Sequence, residues 1–511
     1  MSRRAGWRGL LGVGLALLLC APSFAGGGSS SGDPHGEEHT EEHGEEHSEE
    51  HSGEHGHGDG HGGHSSALSD VPKPLDIGGM PQRPKPLVEL GEPFLGTGTL
   101  DPGFQLPTGA VWQPSMLVFG TLRTSLQSFE PDSVAAGSGR ITELSARLDL
   151  FLNLSLSGSE RLVAGIRALD GNGRFTSYFI DHPDPALDGE FREEIDADLE
   201  VLFFEGDFGE IFPDIDRDDF GTLDYGFSVG RQPLLFQEGL LIDDTIDGIG
   251  ITRNTLLPGN SPNFRTTFFY GWDNLNTSFG AERDAQIFAL LTSTDTPKTT
   301  LDIDVAYVDS NDLSGSLVAA GVSAVQRLGG VNTSFRLLGS WATDDPIPGV
   351  DTSLTAADGY LAFSEVSWVP HGTHDLVYLN NFWAVDRYTP AARGAGGLNA
   401  GPLGRAGISF ASVGLGSFDA PLSSQAHDVA GGAIGYQRFL DHTRKQLLFE
   451  VGYRVGTENT TPDAYAGIVR YQAAAGQHLV WVVDAFAGYR EIFGGPSQNP
   501  WGGRLELVVK F

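Results

Sequence analysis

Between Glu143 and Ser157 the chain alternates. Leu144, Ala146, Leu148, Leu150, Leu152, Leu154 and Leu156 fall on one side. Glu143, Ser145, Arg147, Asp149, Asn153 and Ser155 fall on the other, with Phe151 among them. A period of two belongs to a β-strand, whose successive side chains point to opposite faces. Strands in soluble domains usually run for about five or six residues. An apolar face kept for roughly 13 residues is closer to the 9–11 tilted residues that cross a bilayer. The design recurs in Phe264, Thr266, Phe268, Tyr270 and Trp272, in Leu301, Ile303, Val305 and Tyr307, in Leu447, Phe449, Val451, Tyr453 and Val455, and in Trp481, Val483, Ala485, Ala487 and Tyr489. Several of these runs end in Tyr or Trp, rings that suit the lipid–water boundary.

From about residue 115 roughly 18 such segments follow, centred near 122, 149, 165, 201, 227, 249, 268, 289, 304, 321, 337, 364, 380, 433, 451, 468, 484 and 506. Short connections at 157–159, 295–298, 329–330, 370–373, 441–445 and 473–476 alternate with long ones at about 170–196, 232–244, 343–358, 388–427 and 491–500. A soluble sandwich has no reason to keep its long loops on every second connection, whereas an outer-membrane barrel does. The expected fold is all-β: a transmembrane antiparallel β-barrel of about 18 strands (16–18), with a disordered N-terminal periplasmic tail. One stretch breaks the rule. Gly206–Leu223 falls where a short turn belongs, so either the strand count shifts there or that turn is elaborated.

The segment before the strands has a different composition. Arg3, Arg4 and Arg8, an apolar run from Leu10 to Leu19 and the small-x-small site Ser23-Phe24-Ala25 read as a secretory signal over 1–25. The single cysteine, Cys20, lies inside that run, so cleavage leaves no thiol chemistry. Residues 26–70 form a low-complexity His/Glu-rich tail, and 71–114 a Pro/Gly-rich linker leading to the barrel at 115–511. The formal net charge of −35 excludes nucleic acid as a partner.

The chain closes on WGGRLELVVKF, with Leu505, Leu507, Val509 and Phe511 on one face. A terminal aromatic after such alternation resembles the closing strand of Gram-negative outer-membrane proteins. That resemblance implies outer-membrane lipid and lipopolysaccharide around the wall, and recognition of this strand by the outer-membrane assembly machinery. A second resemblance rests on Val229-Gly230-Arg231-Gln232 followed by Leu241-Ile242-Asp243-Asp244-Thr245-Ile246-Asp247-Gly248. This is similar to alginate-export-type porins, where a Gly-Arg-Gln strand end precedes an Asp-rich loop and an Asp-Gly strand start. The family implies an 18-strand barrel that passes an anionic polysaccharide or other small solutes. Here acidic residues number 67 against 32 basic ones, which favours cations instead.

By parity the inward set includes Arg123, Arg147, Asp149, Arg167, Asp302, Asp304, Arg336, Glu450, Arg454, Asp484, Arg490, Arg504, Glu506 and Lys510. Charges of both signs on one face argue for a watery lumen, since each would cost several kcal/mol unpaired in a dry core. They solvate the pore and pair across strands, and rings of charge also set ion preference. The connection 388–427 carries Arg393 and Arg405 amid Gly and Ala, flanked by Asp386 and Asp428. It reads as an inward constriction loop, or as a lid over the mouth. The acidic run with Asp214, Asp216, Asp218 and Asp219 lacks the closing Glu of a calcium loop and reads as a solvated loop.

His35, His39, His43, His47, His51 and His55 recur every four residues, and His57, His61 and His64 follow. With the intervening carboxylates they form a ligand set suited to loosely held Zn, Ni or Cu. The other reading is a tail that gains charge in mild acid. No cofactor is otherwise implied, and no Gly-x-Ser-x-Gly nucleophile motif is present, so no enzyme activity is expected. The functional expectation is an outer-membrane porin for passive diffusion or export of small hydrophilic solutes. The alternatives are a metal-handling barrel that uses the His/Glu tail, and a structural barrel closed by its loops.

Overall fold

The computed structural model describes residues 83–91 and 102–511, apart from stretches at 131–138, 172–173, 197–198, 216–223, 257–262, 278–279, 283–284, 312–314, 345–354, 395–400, 442, 459–460 and 494. Residues 1–25, expected to be a secretory signal, the nine tract histidines from His35 to His64 and Asp216, Asp218 and Asp219 lie outside the described residues.

The wall is a closed antiparallel barrel of 18 strands. In chain order the first six are β1 (Ser115–Phe129), β2 (Ile141–Ser155), β3 (Arg161–Arg167), β4 (Leu199–Asp207), β5 (Tyr225–Phe236) and β6 (Ile242–Leu256). Next come β7 (Asn263–Asp273), β8 (Ala285–Asp295), β9 (Thr299–Ser310), β10 (Leu317–Leu328), β11 (Val331–Ala342) and β12 (Gly359–Trp368). The last are β13 (Leu376–Arg387), β14 (His427–Leu440), β15 (Lys445–Gly456), β16 (Ala464–Ala475), β17 (Leu479–Arg490) and β18 (Trp501–Lys510). The end of the barrel where β1 starts is called here the lower rim. Among the described residues no helix is long and apolar enough to cross a membrane.

Closure is made by β18 against β1, from Gly502 opposite Phe129 to Lys510 opposite Thr121. Phe511 extends the pairing, and its N–H and C=O exchange hydrogen bonds with Gly120 at 3.1 and 2.8 Å. Below that point Val88–Leu90 takes over the β1 edge, pairing with Met116–Val118. Among the described residues the edges of β18 and β1 therefore cover each other along the seam, as hydrocarbon requires. Part of the 71–114 segment is thus bound to the wall.

The alternation decides which way each side chain faces. Along β15, Phe449, Val451 and Tyr453 are exposed outward, while Leu448, Glu450 and Arg454 are buried inward. Near the upper rim the outward face carries aromatics. Tyr453, Tyr465 and Tyr489 share one cross-strand row, and Trp341 donates to Tyr360 Oη at 3.2 Å.

Lower-rim turns are short. Leu328 and Val331 are joined by Gly329 and Gly330, with Gly329 at φ +62°, a conformation that glycine adopts freely in two-residue hairpins. The connection from β4 to β5 is long, and its described part opens with a single helical turn, Phe208–Ile211, capped by Asp207. The strand count does not shift there. A correction is needed at 232–244, expected as a long outer loop. The strands β5 and β6 stay paired through this stretch, from Tyr225 opposite Arg253 to Phe236 opposite Ile242, and the connection shrinks to Gln237–Leu241.

Candidate functional site: a lumen narrowed by two inward segments

The β5–β6 hairpin leaves the wall at a pair of glycines. Gly230 faces Gly248, and the neighbouring strands stop pairing at Arg231 and Asp247. Gly230 has φ +119°, and a Cβ there would lie 2.3 Å from the Leu202 carbonyl oxygen, so only glycine fits this bend. Just beyond it Arg231 grips Asp247 with two hydrogen bonds, Nε to Oδ1 at 3.0 Å and Nη2 to Oδ2 at 2.8 Å. The tip then reaches the inward side chains of distant strands. Gln237 Nε2 donates to Asp304 of β9 at 2.7 Å, and Glu238 lies 4.0 Å from Arg336 of β11.

Residues 388–394 and 401–426 also run inside the barrel. Ala391 N–H donates to Leu241 O at 2.9 Å, and Ala392 and Arg393 pair in parallel with Ile242 and Asp243. Arg393 donates to Gly239 O at 2.7 Å and lies 3.7 Å from Asp243. Burial pulls its guanidinium below the usual range. The Phe410 ring meets Phe382 edge-on at 5.4 Å. Glu450 Oε1 accepts from Ser409 N at 2.7 Å and from Ser409 Oγ at 2.6 Å, and its Oε2 accepts from Ile408 N at 3.0 Å and from the Tyr378 hydroxyl. Further along, Ser417 N–H donates to Glu143, and Phe418 sits between Phe129 and Phe486 at 5.2 and 5.6 Å. Asp419 is half-buried in the same segment, and loss of solvent raises its carboxyl above the usual range.

Hairpin and loop form a dry core inside the upper half of the barrel. Leu240, Leu241 and Ile242 are fully buried against inward Ile287, Ala306 and Ala319 of the wall. The watery lumen implied by the charge pattern is therefore confined to part of the interior. On this side the upper wall presents small apolar residues to protein.

The two segments are joined to the wall by four charges. Arg405 of the loop lies 3.0 Å from Glu238 of the tip and 2.9 Å from Glu365 of β12, and Glu365 also pairs with Arg336. Each carboxylate thus faces two guanidinium groups, and Arg336 is almost fully buried. Isolated buried charges would be costly, and pairing offsets that cost.

Other inward charges form a ladder across the closure seam. Arg167 and Arg147 share Asp149 at 3.1 and 2.9 Å. Arg123 donates to Glu506 at 2.6 Å, Glu506 also pairs with Arg504, and Arg504 and Arg470 share Asp484. Arg123 and Arg147 reach further, to the carbonyls of Val413 and Gly414, both at 2.9 Å. Arg454 donates to Ser423 O, and Arg490 to Gln498. Asp386 and Asp428 sit apart from Arg393 and Arg405, at a bulge on the upper rim, where Asp428 accepts from the Asp386 N–H at 2.9 Å. The carboxylates that meet the loop arginines are Asp243, Glu238 and Glu365. The parity of β12 would have found Glu365, but nothing in the local pattern marks Glu238.

Beneath the hairpin tip a cavity of about 660 Å³ opens toward the lower rim. It is lined by Asp302, Asp304, Arg265 and Arg336, with Phe227 and Phe269 among its apolar walls.

Comparison of the fold finds a BenF-like porin from Pseudomonas fluorescens Pf-5. It is 9% identical, with 78% of this chain and 98% of that chain covered and a TM-score of 0.52. The chain shares the fold of an outer-membrane porin barrel. OccK1 (OpdK) of Pseudomonas aeruginosa also aligns, at 11% identity over 78% of this chain and 98% of that one, with a TM-score of 0.49. So does Wzi of Escherichia coli, at 12% identity over 77% and 84%, with a TM-score of 0.43. No family model and no curated protein matches the chain.

Proposed function

We propose that the protein is an outer-membrane channel that passes small hydrophilic solutes through a lumen constricted by the β5–β6 hairpin and the 388–426 loop. One observation carries this reading. A closed wall is apolar outside, while its interior holds paired charges and a solvent cavity between two inward segments. The cavity lining holds five carboxylates, Glu205, Asp207, Glu238, Asp302 and Asp304, against two guanidinium groups, so cations are favoured. In this reading the lower rim faces the periplasm, the N-terminal tail lies there, lipopolysaccharide surrounds the upper rim, and the assembly machinery reads β18. The Arg231–Asp247 fork and the Gly230–Gly248 bend lie within the residues that resemble alginate-export-type porins, which supports a related role with a solute of different charge.

Planar-bilayer recording tests the channel. Discrete current steps with a cation-selective reversal potential are expected, and an absence of steps at any salt concentration overturns the proposal. The His/Glu tract supports a second role, loose capture of Zn, Ni or Cu beside the pore. Deleting residues 35–64 then lowers metal bound per purified chain. Unchanged metal binding removes that role.

A further inference from the structure

Two carboxylates in the cavity beneath the hairpin tip, Asp302 and Asp304, have only neutral hydrogen-bond donors. Asp302 and Asp304 project from one face of β9, about 7 Å apart along the strand. Asp302 accepts from Ser323 Oγ at 2.7 Å, and Asp304 accepts from Gln237 Nε2 at 2.7 Å and Thr292 N at 3.0 Å. Among the described residues neither carboxylate has an arginine, lysine or histidine nitrogen within ion-pair distance. Gln237 is 5% exposed, and its Oε1 has no hydrogen-bond partner. Its orientation is fixed, because only the amide NH₂ can donate to the Asp304 carboxylate. The carbonyl end is therefore left as a buried acceptor beside the Asp304 carboxylate.

We propose that this cavity is a docking step for a small organic cation, an ammonium or guanidinium group carried on an apolar or aromatic body. The cation supplies the donors that Asp302, Asp304 and Gln237 Oε1 lack. Phe227, Phe236 and Phe269 line the cavity and contribute apolar surface for the rest of the molecule. The volume suits a small molecule and excludes a polymer coil. Two arginines oppose the cation: Arg336, two strands from Asp302 on β11, is engaged by Glu365 and Glu238, and Arg265 is the other. It faces the cavity from β7, two strands from Asp302 in the row Arg265, Ser293, Asp302, Ser323, Arg336, so about 10 Å separates the two backbones. Its positive charge disfavours a cation at that end, so the cation seats on the β9 side. The proposal rests on reading the lumen as a solute path and names the class of solute.

The test is titration calorimetry on the full chain in detergent, with phenethylamine and phenylacetate as matched probes. Phenethylamine is expected to bind, with phenylacetate about tenfold weaker or more. Asp302→Asn keeps a partner for Ser323 and is expected to weaken the amine by about fivefold or more, while Arg265→Gln strengthens it. Equal affinity for the two probes, or amine binding indifferent to Asp302→Asn in a variant that retains native electrophoretic mobility, overturns the proposal. Calorimetry reads the site whether or not the protein conducts. Amine binding without current sinks the channel alone, and current without amine binding sinks the site alone.

Discussion

Arg231 and Asp247 face each other across the base of the inward hairpin, one step past the paired glycines 230 and 248, and hold it with a two-point charged hydrogen bond. The bond fixes the direction in which the hairpin leaves the wall. Because the pair is partly exposed, its net value is set well below that of a buried pair, at about 1 kcal/mol. Asp247→Asn is expected to cost about that much in urea unfolding of the micelle-bound barrel. It should also add fast flicker to the open-channel current. A silent variant would show that the hairpin is held by its apolar tip alone.

The bend itself depends on Gly230. Gly230→Ala forces a Cβ against the Leu202 carbonyl at a positive φ, and strain of this kind costs roughly 1–3 kcal/mol. A lowered urea midpoint is the expected reading, together with faster proteolysis near Gln237–Leu241. Gly329→Ala, in an open two-residue turn with nothing near its Cβ, isolates the cost of φ alone and should cost less.

Arg336 is the buried member of the four-charge cluster. Removing it leaves Glu365 with Arg405 alone and Glu238 with one guanidinium fewer. Arg336→Ala is expected to lose about 3 kcal/mol of stability, at the lower end for a broken buried pair because Arg405 remains. The comparison variant Arg405→Ala frees the loop from both the tip and β12. It should raise single-channel conductance more than it lowers stability.

Asp419 gives the loop a pH dependence. Burial raises its folded-state carboxyl above the unfolded value, so the protonated form is favoured in the folded loop. That stabilisation is complete below the unfolded value of about 3.9 and is lost as pH rises through the higher folded value. Asp419→Asn is therefore expected to be more stable than the parent at neutral pH and equal to it near pH 4 or below. Identical unfolding midpoints across this range would remove the assignment.

The wall was readable because each strand keeps its rhythm. The inward Arg147 and Asp149 and the outward Leu144 are visible in one line of sequence, and so is the closing strand that ends in Phe511. Hairpin and loop were harder to read for a physical reason. A segment that packs inside the lumen turns the inward wall positions apolar, as at Ile287, Ala289 and Val308, and a strand apolar on both faces no longer shows which side meets lipid. The contact of Arg405 with Glu238 and Glu365 joins three separate segments, and no local pattern records it. The Gly-Arg-Gln and Asp-Gly pieces were visible as a motif, but that they form the two sides of one bend appears only once Gly230 is seen opposite Gly248.

The lipid face allows a graded test. Val451, exposed near the middle of β15, should cost about 2–4 kcal/mol when changed to Arg. The same change at Tyr489, near the upper rim, should cost about 0–1 kcal/mol. Equal costs at the two positions would argue against a bilayer across the middle of the wall.

The most direct measurement is quenching of tryptophan fluorescence by brominated lipid after refolding into vesicles. Trp272, Trp341, Trp383, Trp481 and Trp501 point outward. Lipid brominated near the glycerol end should quench strongly, and aqueous acrylamide weakly. Emission untouched by the brominated lipid, from protein that remains monodisperse in plain buffer, would contradict hydrocarbon contact and the channel built on it.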